Sequence, residues 1–251
     1  MKRESVASIQ NPLMQHVRRL QTSRAARREA GEFVGEGTKL LAEAARWWPG
    51  LRTVVVTAGA ELCPLPGQVR VVEVPETLMR RISQMEAPQG ALFLCALPEP
   101  KALAVHGGTL ILDGLQDPGN LGTILRTADA LDIPVVLTEG CADPYGPKTV
   151  RASMGAVFRS VPQSAGREEV LAACKTGGVR LLATAMDETA RDLRGVDLKD
   201  AAVVIGSEGQ GVCETFLNRS AGRIVIPMSG RCESLNAAVA AAIVMWQMKT
   251  L

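Results

Sequence analysis

The sequence predicts an α/β chain of two units, the second built on a mostly parallel sheet. Three observations lead there. From residue 109 onward, short β-branched runs alternate with helical segments, the pattern of a parallel sheet with helices on both faces. At 97–101 (LPEPK) and 106–108 (HGG), prolines and glycines cluster where the composition shifts, which marks a linker. The 251 residues, 47% hydrophobic and 22% charged, hold enough apolar material for a real core in one large domain or two modest ones. The expected division is a domain over 1–98, a linker over 99–108 and a second domain over 109–251.

Each element has a local reason. Pro12 suits the first turn of a helix running from Asn11 to about Gln21. Ser23 caps a second, arginine-rich helix that Gly31 ends. Phe33 and Val34 are extended, and Thr38 caps a helix through Trp48 that Pro49 and Gly50 stop. Val54 to Val56 and Val69 to Val74 read as strands, 76–84 as a short helix, and Ala91 to Ala96 as a buried apolar run. Trp47 and Trp48 are assigned to the core of this unit rather than to a stacking platform. In the second unit, strands are expected at 109–113, 133–138, 180–184, 202–206 and 223–227, and helices at 120–131, 147–157, 167–176, 212–219 and 234–249. The last helix, Ala237 to Met248, is alanine-rich and nearly uncharged. That composition predicts burial on more than one side, against the sheet or a second subunit.

Composition narrows the function. The chain opens Met1-Lys2-Arg3-Glu4-Ser5 with no apolar run behind it, which argues against a secretory signal, and no stretch is apolar enough to span a membrane. The six cysteines include no CxxC pair, and the two histidines complete no zinc spacing. Free thiols in a reducing cytoplasm and no metal are the expectation. The net charge of +2 hides a basic first segment, in which residues 1–30 carry seven Lys or Arg against two Glu. Arg18, Arg19, Arg24, Arg27 and Arg28, with Lys39 beyond them, are candidates for tracking a nucleic-acid backbone.

Three strand ends carry unusual loops. Ligands in such sheets bind at the carboxyl ends of the strands. The first loop, from Asp113, holds Asn120 at an apparent helix N-cap and Arg126 six residues on. An arginine close to a sheet needs a carboxylate or phosphate partner, and Glu208 or Asp129 could supply the carboxylate. The second, 206–211 (GSEGQG), lets backbone approach a ligand closely, although a tight turn before a helix would use the same glycines. It matches neither a Rossmann nor a Walker pattern. The third places Ser234, a good N-cap, and Asn236 at the start of the terminal helix.

These loops, in this order, resemble the three motifs of the SpoU/TrmH branch of the SPOUT superfamily of RNA ribose methyltransferases: 117–130 (DPGNLGTILRTADA), 203–212 (VVIGSEGQGV) and 226–243 (IPMSGRCESLNAAVAAAI). Residues 143–162 resemble a further family segment, and 33–44 (FVGEGTKLLAEA) resembles the family's L30e-like substrate-binding domain, so the similarity spans almost the whole chain. The resemblance departs from the family at Val212, at Ala237 and Ala238, and at Gly35, all apolar or small changes.

The resemblance implies a C-terminal trefoil-knot SPOUT domain, an S-adenosylmethionine cofactor, an RNA substrate and a homodimer with the active site completed across the interface. Gly206, Gly211, Ile226, Met228 and Leu235 would hold the cofactor. Arg126, Asn120, Glu208, Ser234 and Asn236 would be catalytic. Guanidinium stays protonated in proteins, so Arg126 is expected to clamp the phosphate beside the target ribose rather than act as a base. The N-terminal domain favours ribosomal RNA, most readily 23S. A transfer-RNA methyltransferase, a non-catalytic RNA-binding protein and a metabolic nucleotide-binding enzyme are the alternatives.

Overall fold

The computed structural model describes residues 3–229 and 233–250. Lys2, Cys232 and the motif residues 230–232 therefore lie outside the described residues. The elements in chain order are β1 (Arg3–Ser5), α1 (Pro12–Thr22), α2 (Arg24–Ala30), β2 (Glu32–Glu36), α3 (Thr38–Trp47), β3 (Leu51–Thr57), β4 (Arg70–Val74), α4 (Glu76–Ile82) and β5 (Ala91–Ala96). They continue as β6 (Leu110–Asp113), α5 (Pro118–Ala130), β7 (Val135–Leu137), α6 (Pro147–Ala152), α7 (Ala156–Arg159), β8 (Gln163–Ser164) and α8 (Arg167–Thr176). The chain ends with β9 (Arg180–Thr184), β10 (Arg191–Asp192), β11 (Ala201–Gly206), α9 (Glu214–Arg219), β12 (Gly222–Val225) and α10 (Ala237–Thr250). Two compact units result: Met1–Glu99 with Tyr145–Arg159, and Pro100–Pro144 with Ser160–Leu251.

In the first unit the described strands form one sheet in the order β1-β4-β3-β5-β2. Asn11 accepts a hydrogen bond from the Leu13 amide (2.9 Å) to open α1, and Met14, Val17 and Leu20 on its buried face meet Val34, Val55 and Val72 of the sheet. Ser23 Oγ accepts from the Ala26 amide (3.1 Å), and Gly31 ends α2 in the left-handed region at φ 63°. At α3 the expectation fails by one residue. The N-cap is Gly37, held at φ 111°, and Thr38 is already helical. β1 escapes sequence detection because its three residues are polar and exposed; the parallel ladder to β4 and the Arg3–Glu73 and Arg70–Glu4 ion pairs hold it.

An aromatic cluster of Phe33, Trp48, Phe93, Tyr145 and Phe158 fills the rest of this unit, with ring centroids 4.9 to 6.4 Å apart. A Cβ on Gly35 would sit 2.2 Å from the Phe93 ring, so the ring occupies the space that a larger residue would take. Trp47 corrects the core assignment: it is 46% exposed, and the Arg46 guanidinium lies 4.8 Å over its ring. Tyr145 and Phe158 belong to a segment that sequence alternation assigns to the second sheet's helices. The helix expected over 147–157 is broken between α6 and α7, where Met154 and Gly155 adopt φ 51° and 91°.

In the second unit the described strands form a sheet in the order β10-β12-β9-β11-β6-β7-β8, parallel throughout. Ile111, Val136, Ala183, Val204 and Phe216 are among the core residues between this sheet and its helices. β8 and β10 are two-residue edge strands, too short to carry a pattern. Two capping assignments are corrected. Asp117 caps α5, accepting from the Asn120 amide (2.7 Å) with Pro118 in the first turn, which leaves the Asn120 side chain free for other contacts. Asn236 rather than Ser234 caps α10, accepting from the amides of Ala238 (2.9 Å) and Val239 (3.3 Å). α10 packs on α5, on β11 of the sheet and on the turn Leu193–Gly195, with Ala241, Val244 and Met245 buried and Val239, Ile243 and Trp246 exposed. Among the described residues no helix is long and apolar enough to cross a membrane.

Candidate functional site

At the carboxyl ends of β9, β11 and β12 lies a cleft of about 540 Å³. Its wall is the turn after β11. Ser207 and Gly211 exchange backbone hydrogen bonds (3.2 and 2.9 Å), and the Gln210 amide donates to Ser207 Oγ (3.2 Å). Gly206 packs so closely on the returning chain that a Cβ there would lie 1.9 Å from the Gly211 carbonyl carbon and 2.2 Å from the Val212 nitrogen. Gly211 sits in the left-handed region at φ 66°. Both glycine readings hold at once: a tight turn, with one side facing a ligand-sized cleft. Gly206, Gly211, Ile226, Met228 and Leu235 all line this cleft.

The polar residues divide. Asn120 Nδ2 donates to Glu208 Oε1, and Asn236 Nδ2 donates to Asn120 Oδ1 (3.1 Å). One chain of amide contacts thus links all three loops at the rim. Glu208 and Ser234 line the cleft itself. Arg126 does not join them. Six residues along α5 place it about 9 Å further on and about 240° around the axis from Asn120. It is exposed and has no hydrogen bond or ion pair among the described residues, so the expected pairing with Glu208 or Asp129 is absent. Asp129 instead accepts from Ser160 Oγ (2.7 Å).

Two carboxylates at or near the cleft, Asp113 and Asp187, carry no motif in the sequence. Asp113 ends β6 and is 2% exposed. Its carboxylate accepts from Thr138 Oγ1, Arg167 Nε and the Cys213 amide, each at 2.8 Å. Burial pushes its pKa up, but those hydrogen bonds outweigh burial and hold it below the usual carboxylate value. Asp187, at the cleft lip, accepts from Thr189 and Arg223, which hold it at about 2. The only sequence signal for Asp113 was a carboxylate closing an apolar strand; Asp187 had none.

On the N-terminal unit Arg18, Arg19, Arg24, Arg28 and Lys39 are exposed, with Arg19 paired to Glu29. Arg27 corrects the basic set: it is 6% exposed and donates to the Leu20 carbonyl (2.5 Å), a structural role. Cys95, Cys141 and Cys174 are buried, which raises their thiol pKa values. No group of three potential metal ligands occurs among the described residues.

The cleft suits a cationic nucleoside. Its volume is in the range of small-ligand sites. Ile205, Ile224 and Leu235 give it apolar walls, the glycine turn offers close backbone, and Asp187, Glu208 and Glu233 place carboxylates around it. S-adenosylmethionine, with a sulfonium and an ammonium group, matches that donor set.

Comparison with known proteins agrees. The SpoU rRNA Methylase family model matches residues 108–246, and the MRM3-like substrate binding domain matches 11–92. The 23S rRNA (guanosine(2553)-2′-O)-methyltransferase RlmP of Bacillus subtilis is 30% identical over 98% of this chain and 99% of its own. An AdoMet-bound rRNA methyltransferase from Sinorhizobium meliloti has a TM-score of 0.86 at 29% identity, covering 98% of this chain and 97% of that one. The AdoMet complex of the SpoU methyltransferase AviRb from Streptomyces viridochromogenes has a TM-score of 0.83 at 26% identity, covering 95% and 97%. A match over more than half of the chain, on a SPOUT fold with a cleft fit for the cofactor, places this protein in the SpoU rRNA methylase family, whose members methylate RNA with S-adenosylmethionine.

Proposed function

We propose that this protein methylates a ribose 2′-hydroxyl of 23S ribosomal RNA, acting in the cytoplasm as a homodimer. The observation that carries the reading is the Asn236–Asn120–Glu208 chain at the rim of a cleft lined by Gly206, Gly211, Ile226, Met228 and Leu235. Bound in that cleft, S-adenosylmethionine supplies a methyl group on a positively charged sulfur. The remaining tasks are to align the ribose oxygen, stabilise its developing charge and release its proton.

Glu208 and Asn120 hold the glycine turn in register with the first loop, and Ser234 offers a hydroxyl at the rim to orient the ribose. Arg126 stays protonated, so it clamps the phosphate next to the target and lowers the hydroxyl pKa; the proton leaves to phosphate or water. The reading has each protomer's Arg126 serve the other's cleft, which accounts for an exposed arginine without a carboxylate. Val239, Ile243 and Trp246 form an exposed apolar stripe at helical spacing on α10, a surface suited to pairing. Ribosomal RNA is favoured because the full-length relative is a 23S rRNA enzyme and its match includes the N-terminal unit. The exposed arginines of that unit supply phosphate affinity without sequence readout.

The test is transfer of labelled methyl to unmodified 23S rRNA and, separately, to bulk tRNA, followed by alkaline digestion. Alkali-resistant labelled dinucleotides from 23S rRNA are expected. Label on tRNA alone would overturn the substrate and keep the chemistry; label in alkali-sensitive nucleotides would overturn the ribose.

A further inference from the structure

The turn that walls the cofactor cleft has open space on both sides. Ser207, Gln210, Gly211 and Val212 line the 540 Å³ cleft, and the same four residues line a second cleft of about 280 Å³ behind it. Between the two clefts the wall is held by the Asn120–Glu208 contact at its middle and by its two ends, where Val212 is buried in the core beside Phe216. One end is Gly206, paired in the β11–β6 ladder opposite Asp113. The other is Cys213, whose amide donates to Asp113 Oδ2 at 2.8 Å. Both ends of the turn are thus tied to one residue, through its backbone and through its side chain.

The geometry points to Asp113, with Arg167 as its counter-ion, as a positioning residue that sets the rear wall of the cofactor cleft. Asp113 Oδ1 accepts from Thr138 Oγ1 and Arg167 Nε, and Oδ2 faces the Cys213 amide. Arg167 is itself fixed, donating to the Glu139 carbonyl (3.3 Å) while its amide donates to the Glu139 carboxylate (3.2 Å). A carboxylate can accept all three bonds; a neutral amide presents an N–H to at least one of these donors. The hydrogen bonds outweigh burial and keep the group ionised, consistent with its role as a three-way acceptor. The inference rests on the assignment of the larger cleft to the cofactor, and the experiment separates the two.

S-adenosylmethionine affinity is measured by calorimetry for Asp113→Asn, Val136→Ala and Ile226→Trp, with amide exchange over 207–213 followed in the cofactor-free protein. Val136 is buried in β7, two strands from β11, so its truncation lowers stability without removing a hydrogen bond of the turn. Asp113→Asn is expected to raise Kd at least about tenfold and speed exchange of the turn by a similar factor. Val136→Ala is expected to leave both near wild type. Wild-type Kd and exchange in Asp113→Asn, or the same changes in Val136→Ala, would overturn the positioning role. If Asp113→Asn binds normally while Ile226→Trp blocks binding, the cleft assignment stands and the positioning role falls. Wild-type affinity in Ile226→Trp would overturn the cleft assignment and the inference with it.

Discussion

Gly206→Ala adds one methyl group where the structure has no space. The new Cβ would lie 1.9 Å from the Gly211 carbonyl carbon, 2.1 Å from its oxygen and 2.2 Å from the Val212 nitrogen. Non-bonded carbons settle near 3.5 Å, so backbone must retreat by about 1.5 Å, and no flexible side chain can absorb that movement. The retreat breaks the paired Ser207–Gly211 hydrogen bonds, at about 1 kcal/mol each, and adds about 1–3 kcal/mol of overpacking. A total near 4 kcal/mol lowers Tm by roughly 10 °C in a chain of this size. Because the turn is the cleft wall, cofactor binding should be lost as well. Two neighbours calibrate the effect. A Cβ on Gly209 meets nothing within 4 Å, so Gly209→Ala should be neutral; Gly211→Ala meets nothing either but must hold φ 66°, at about 1 kcal/mol. Thermal unfolding and calorimetry with S-adenosylmethionine read all three. Wild-type Tm and Kd in Gly206→Ala, or equal losses in all three, would refute the close-packing argument.

Asn120→Ala removes the rim links but leaves Asp117 capping α5, so turnover should fall by at least tenfold with Tm nearly unchanged, whereas Asn236→Ala also loses a helix cap and about 1 kcal/mol; kinetics beside unfolding curves separate them. Trp246→Glu puts a charge in the apolar stripe of α10 and should convert a dimer to a monomer in sedimentation analysis; an unchanged mass would dismiss this face as the interface. Asp113 has a folded pKa below its unfolded value near 3.9, so its stabilisation is present above about pH 4 and lost as pH falls through the folded value. The stability gap between wild type and Asp113→Asn should accordingly shrink on acidification, and a constant gap would contradict the assignment. Alkylation with iodoacetamide, mapped by mass spectrometry, should spare Cys95, Cys141 and Cys174, whose burial shields the thiol, whereas among the described residues the partly exposed Cys63 and Cys213 are modified ahead of them.

Most of the architecture was legible in the sequence, because it depends on chemistry confined to a few neighbouring residues. Pro12, Ser23 and Gly31 mark helix ends through backbone geometry that each carries itself. Alternating strands and helices predict a parallel sheet, and the glycines and polar residues at three strand ends point to the cleft that Gly206, Gly211, Ile226, Met228 and Leu235 line. Tertiary structure decided what depends on distant partners. Asp113 draws its hydrogen bonds from residues 25, 54 and 100 positions away, so no local pattern can announce it. Arg27 reads like its exposed neighbours until the fold buries it against the Leu20 carbonyl. The capping roles of Asp117 and Asn236 were hidden for a different reason: several residues in each loop could serve, and the approach of three loops released Asn120 to bridge the other two. Tyr145 and Phe158 joined the aromatic cluster of the first unit because their rings fit around Phe33. Periodicity tells a strand or helix which face to bury; only the packed chain determines what that face is buried against.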